Sequence, residues 1–185
     1  MSELKVAVAA DYQNIVPART YVGNLRKLGF ETSWVTRPTA LEMLREAAHA
    51  SRDSTDERHN PSYINGLSNL LQYPSYQSAR LNVLEDADCV LVVNKNHLSL
   101  PQERHKIKNN LSLQSIITLA QAAALGAATM LSDNFPFHTG EKRSPNAELD
   151  VILHSMGVRA LNGSMEALPT IYEEHQGANY PGESV

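Results

Sequence analysis

Few residues of this sequence are both chemically capable and placed where chemistry is usually done. Asn94 ends the apolar run Cys89-Val90-Leu91-Val92-Val93, and the spacing after it predicts a helix from Ser112 to Gly126. With the next apolar run, Ala128 to Ser132, this makes a strand–helix–strand pattern, which closes as a right-handed parallel crossover. Ligands of open parallel sheets sit at the carboxyl ends of the strands. Asn94 is therefore expected to line a site, and the first turn of the 112–126 helix to face it. The local cluster of positive charge, Arg104-His105-Lys106-Ile107-Lys108, lies just before that helix. Helix amino termini present unpaired N–H groups and partial positive charge, so cluster and terminus together suit a phosphate or carboxylate. A solvated basic loop explains the same residues.

Other chemistries are poorly served. Ala9-Ala10-Asp11-Tyr12 stands where a dinucleotide-binding Gly-x-Gly-x-x-Gly would follow the first strand, and neither a Walker-type loop nor a Gly-x-Ser-x-Gly elbow occurs. The seven His residues are scattered without a His-x-x-x-His pair, and Cys89 has no second cysteine beside it. No metal site and no cofactor are expected. Cys89, mid-strand between Asp88 and Val90, reads as a small buried hydrophobe rather than a reactive thiol. One cysteine forms no internal disulfide, which fits a reducing cytoplasm. A net charge of −4 and the lack of an Arg-rich or aromatic-interleaved stretch argue against nucleic acid as a partner. Met1-Ser2-Glu3-Leu4-Lys5 opens without a long apolar segment, and no run approaches the ~18 apolar residues of a membrane span. A cytoplasmic protein with no membrane partner is expected.

The elements that must position these groups follow from periodicity. Leu4 to Ala10 reads as a strand buried on both faces. Pro17 suits the first position of a helix whose apolar face is Ala18, Tyr21, Val22, Leu25 and Leu28, with Gly29 as its stop. Phe30 to Thr36 is the second strand. Thr39 and Glu42 have capping-box spacing before a helix carrying Leu41, Leu44, Ala47 and Ala48. Ser51 to Pro61 is almost wholly polar and reads as a long surface loop, with a lid as the functional alternative. Two helical pieces, interrupted at Pro74, are expected between Tyr63 and Leu84. On the 112–126 helix, Leu113, Ile116, Ile117, Ala120, Ala123 and Ala124 form the expected apolar face. After a loop from Asn134 to Arg143, Ser144-Pro145 starts a helix stopped by Gly157. Val158 to Leu161 is a last strand closed by Asn162-Gly163, and Ser164 caps a final helix to about His175. Residues 1–175 are expected to form one domain and 176–185 a flexible tail. Five strands alternating with helices indicate an α/β sandwich with a parallel sheet.

Ala87-Asp88-Cys89-Val90-Leu91-Val92-Val93-Asn94, followed by a helix ending Ala122-Ala123-Ala124-Leu125-Gly126, resembles the nucleoside 2-deoxyribosyltransferase-like superfamily. So does the run from Glu148-Leu149-Asp150 to Val158-Arg159-Ala160-Leu161-Asn162-Gly163. The resemblance covers roughly Leu4 to Gly163. It implies a flavodoxin-like three-layer sandwich with a five-stranded parallel sheet of order 2-1-3-4-5, a nucleoside or nucleotide site at the carboxyl edge, and a homodimer or larger homo-oligomer. Enzymes of that family cleave the N-glycosidic bond through a covalent glycosyl-enzyme, which needs a carboxylate nucleophile and an acid for the departing base.

Here the pattern departs from the family at the positions that matter. Aligned on Ala124-Leu125-Gly126, the family's nucleophilic Glu becomes Thr118, and the Asp that ends its third strand becomes Asn94. Its Gly-Thr becomes Gln114-Ser115, and its small turn after strand one becomes Ala10-Asp11-Tyr12. Thr118 is a poor nucleophile without an activating base, and Asn94 transfers no proton at neutral pH. The expected ligand grip is then Asp11, Tyr12, Asn94, Asn96, Gln114, Ser115 and Thr118. Asp11, Glu103 and Asp133 are the candidates for a relocated catalytic carboxylate. Three readings follow: a nucleoside- or nucleotide-binding protein without glycosyl transfer, an active N-glycosidase or deoxyribosyltransferase using such a carboxylate, or a structural protein whose site is filled by its own side chains, Tyr12 among them.

Overall fold

The computed structural model describes residues 4–53, 74–94, 111–133 and 147–179. In chain order these form β1 (Lys5–Ala10), a 3-10 turn (Tyr12–Asn14), α1 (Ile15–Lys27), β2 (Glu31–Trp34), α2 (Pro38–Asp53) and α3 (Pro74–Glu85). There follow β3 (Cys89–Val93), α4 (Leu113–Ala124), β4 (Ala128–Leu131), α5 (Ala147–Ser155), β5 (Arg159–Ala160), a second 3-10 turn (Met165–Ala167) and α6 (Leu168–Asn179). The strands form one parallel sheet in the order β2-β1-β3-β4-β5, a flavodoxin-like arrangement as expected. Among the described residues no helix is long and apolar enough to cross a membrane.

Strand composition explains the layering. All five residues of β3 and all four of β4 are buried, as continuous apolar runs in a sheet covered on both faces must be. Alternate side chains then feed two cores. Ala7, Ala9, Val90, Val92 and Leu131 pack with Leu84, Leu119, Ala122 and Leu153, from α3, α4 and α5. Val6, Val8, Cys89, Leu91, Val93 and Met130 pack with Ala18, Val22, Leu25 and Leu168, from α1 and α6. β2, by contrast, alternates exposed and half-buried residues as an edge strand does.

Several boundaries differ from the sequence reading, each for a local reason. α1 starts at Ile15, because the preceding 3-10 turn runs directly into it; Pro17 falls within the first turn, where its missing N–H is harmless. Pro38 is the first residue of α2, and the Ala40 and Leu41 N–H groups bond the Arg37 carbonyl, so Thr39 lies inside the helix and forms no capping box. α2 continues to Asp53, taking in the first residues of the expected 51–61 loop; the rest of that loop, the piece from Tyr63 to Tyr73, the Asn134–Arg143 loop and Ser144-Pro145 lie outside the described residues. Gly29, Gly126 and Gly157 end their helices with φ of 88°, 85° and 74°, a conformation that favours glycine. α6 extends to Asn179, past His175, so the first residues of the expected tail are helical.

Cys89 is fully buried, and burial first, with the nearby Asp88 charge second, pushes its thiol up to about 12. An unfolded thiol ionises near its ordinary value of 9.0, before the folded one does, so above that pH the unfolded chain is favoured. Urea melts should therefore show wild type losing stability relative to Cys89→Ala as pH rises from about 9 towards about 12, with the difference constant below that window. A flat difference across it would contradict the buried, protonated thiol.

Candidate functional site

α1 carries the chain from β1 to one face of the sheet, and α4 carries it from β3 to the other. The carboxyl ends of β1 and β3 therefore flank the topological switch point, where open α/β sheets take ligands. Asp11 follows β1 directly and reaches across this point. Its Oδ1 accepts hydrogen bonds from Ser112 Oγ at 2.6 Å and Ser115 Oγ at 3.2 Å. Ser112 is also the N-cap of α4, its Oγ accepting from the Ser115 N–H at 3.1 Å. A carboxylate thus sits on the amino terminus of α4, where the dipole and the first-turn donors stabilise negative charge.

Asn94 does arrive at the end of β3, but 2% exposed and turned inward. Its Oδ1 accepts from Ser132 Oγ at 3.1 Å and from the Asp133 N–H at 3.0 Å, while its own N–H donates to Ser132 Oγ at 3.0 Å. Asn94 therefore ties β3 to the end of β4. Tyr21, half-buried on α1, borders the same corner: burial pushes its phenol up, the negative charge of Asp133 adds to that, and a hydrogen bond with Ser132 acts the other way.

Thr118 is 2% exposed and already engaged on both sides. Its Oγ1 donates to the Gln114 carbonyl at 2.8 Å and accepts from Arg80 Nη2 at 2.7 Å. Arg80, on α3 and itself 4% exposed, also donates through Nη1 to Gln77 Oε1 at 3.2 Å. With the Gln114 amide turned so that its oxygen faces the guanidinium, that oxygen accepts from Nη1 and Nη2 at 2.6 and 2.9 Å. These contacts explain a correction to the expected face of α4. Its buried positions are Ser115, Thr118, Leu119 and Ala122, whereas Ile117 is 40% exposed and Ala120 and Ala124 face solvent. Polar groups are buried where partners exist for them, and Asp11 and Arg80 supply those partners.

Of the expected site residues, Asp11 and Ser115 meet directly, Asn94 and Asp133 meet beside them across β3 and β4, and Thr118 and Gln114 meet at Arg80. The Tyr12 hydroxyl accepts from Gln13 Nε2 at 3.3 Å in an exposed contact. Asn96, Glu103 and the Arg104–Lys108 cluster lie outside the described residues. Ser112, Ser132, Tyr21 and Arg80 were not foreseen as site residues. Ser112 alone carried a local signal, as a residue of N-cap type opening a helix; the others join the site through long-range contacts. Among the described residues no group of three or more His, Cys, Asp or Glu side chains could hold a metal.

A groove of about 510 Å³ lies at the opposite, amino edge, between β4, β5 and α6. Its polar lining is engaged within the fold: Arg159 Nη2 pairs with Glu174 Oε2 at 3.1 Å, and His175 Nε2 donates to the Gly126 carbonyl at 2.9 Å. Topology and hydrogen-bonding capacity both favour the carboxyl edge as the site. In comparisons with protein-family models, curated proteins and solved structures, nothing matches this chain.

The Arg80–Thr118 contact is testable by a double-mutant cycle. Thr118→Val removes one buried acceptor of the Arg80 guanidinium and should cost about 1–3 kcal/mol in urea melts. Arg80→Met combined with Thr118→Val should cost less than the two singles together, by about 0.5 kcal/mol or more. Strict additivity would mean that the two side chains do not act as a unit.

Proposed function

We propose that this chain is a nucleoside- or nucleotide-binding protein of the nucleoside 2-deoxyribosyltransferase-like superfamily that does not carry out glycosyl transfer. The observation that carries this reading is Thr118. At the position where the family keeps its nucleophile stands a buried hydroxyl, hydrogen-bonded on one side to a backbone carbonyl and on the other to Arg80. Activating a threonine requires a base that takes its proton. The Thr118 proton goes to the Gln114 carbonyl, which is not such a base. The binding half of the reading is supported by the polar groups assembled at the switch point: Asp11, Ser112, Ser115, Asn94, Ser132 and Asp133. Hydroxyls, an amide and carboxylates of this kind recognise sugar hydroxyls and base edges without forming or breaking bonds.

One feature favours the active-enzyme reading. Asp11 and Asp133 follow β1 and β4, the two neighbours of β3, so two carboxylates flank Asn94 from either side. A homo-oligomer belongs to the proposal as well, supported by the exposed apolar positions Ile117 and Leu125 on and just after α4. A cytoplasmic setting rests on the single, buried cysteine.

A thermal-shift screen against nucleosides and nucleoside monophosphates, with each mixture then chromatographed for free base, separates these readings. Stabilisation without base release is expected. Base release that disappears in Asp11→Asn or Asp133→Asn would establish an enzyme instead. Thr118→Glu is expected to release no base either, because the new carboxylate would pair with the Arg80 guanidinium rather than face an anomeric carbon. Measurable hydrolysis by that single variant would show that the family's chemistry is one residue away.

A further inference from the structure

We propose that Asn162 is a modification site, where the chain converts a side-chain amide to a carboxylate without an enzyme, and that the hydrogen bond from the Gly163 N–H to the Ser132 carbonyl sets its pace. The inference is independent of what the carboxyl edge binds. Asn162 and Gly163 follow β5 at that edge, and both are exposed. Among the described residues Asn162 is the one non-glycine with positive φ, at 52°, and Gly163 follows at 79°. The Ser164 N–H closes the turn on the Leu161 carbonyl at 2.9 Å. Asn-Gly suits such a turn, because asparagine tolerates the left-handed region and glycine enters it without steric cost. The same pair is chemically labile, since glycine has no side chain to keep its nitrogen from the asparagine Cγ.

The reaction needs only water. The Gly163 nitrogen attacks Asn162 Cγ and forms a cyclic imide. The Cγ–Nδ2 bond breaks, and Nδ2 leaves as ammonia with the proton that the Gly163 nitrogen loses. Water then opens the imide. Cleavage at Cγ gives aspartate; cleavage at the main-chain carbonyl carbon gives isoaspartate. The new carboxyl group ionises, and ammonia takes up its proton. In the folded chain the attacking nitrogen is held, its N–H donating to the Ser132 carbonyl at 3.2 Å, so attack waits for the turn to leave the end of β4. Ser132 is itself bound to Asn94, accepting from the Asn94 N–H at 3.0 Å and donating to Oδ1 at 3.1 Å. Either product adds a carboxylate to an edge that already holds Asp11 and Asp133. Isoaspartate also lengthens the main chain by a methylene group, which draws the Gly163 N–H out of register with the Ser132 carbonyl and removes that tie from the end of β4.

The test incubates the full chain in heavy-oxygen water at mildly alkaline pH, once folded and once in urea, and follows Asn162 by peptide mapping and mass spectrometry. Heavy oxygen should enter at Asn162 in the folded chain, about tenfold or more slowly than in urea. Label gained in urea but never in the folded chain would overturn the site. Equal rates in the two conditions would overturn the control by the Ser132 hydrogen bond. The isoaspartate fraction, separated chromatographically, is then melted beside Asn162→Asp, which carries the charge without the longer main chain. The isoaspartate form should melt at the lower temperature; identical melting would overturn the loss of the tie to β4.

Discussion

The fold depends on β3 being buried on both faces. Five consecutive apolar residues cannot face water on either side, so helices must cover the sheet from both directions. In a right-handed winding that condition sends the chain to opposite faces after β1 and after β3. The switch point is a consequence. Asp11, Asn94, Ser132 and Asp133 are brought there because each follows a buried strand, and Ser112 and Ser115 because they open the helix after β3.

Within that frame, three polar ties hold the carboxyl edge. Asp11 joins β1 to α4, Asn94 joins β3 to the end of β4, and Arg80 joins α3 to α4. Each removes a buried polar group from the list of unmet costs and fixes the position of a helix or strand end. The same ties limit chemistry. A hydroxyl that donates to a backbone carbonyl and accepts from a guanidinium has no proton to give a base and no base to take it. Thr118, so engaged, lacks the means to attack. Fold does not imply function, and the proposal of recognition without bond cleavage rests on these particular side chains.

α4 shows how such ties override hydrophobic pattern. Of the expected stripe Leu113, Ile116, Ile117, Ala120, Ala123 and Ala124, Ile116 packs against the core, yet Ile117, Ala120 and Ala124 are exposed while Ser115 and Thr118 are buried beside Leu119 and Ala122. A rotation placing Ile117 inward would bury its apolar area, at ~25 cal/mol per Å², but would turn out the fully buried Leu119. It would also leave Asp11 and Arg80 without the hydroxyls they use. Desolvating a carboxylate or a guanidinium unpaired costs more than one exposed isoleucine, so the polar face wins.

Strands were legible in the sequence because they are local. Lys5–Ala10, Cys89–Val93 and Ala128–Leu131 are apolar runs bounded by polar or turn residues, and their alternation with helices determined a parallel sandwich. The identities of Asp11, Asn94, Asp133 and Thr118 as residues of interest were also readable there, from strand ends and from the resemblance. Only the tertiary structure decided what those side chains do. Asp11 meets Ser112 across 101 positions, and Arg80 meets Thr118 across 38. No periodicity encodes such a pairing. It arises when packed strands and helices bring distant polar groups into a low-dielectric space where each must find a partner.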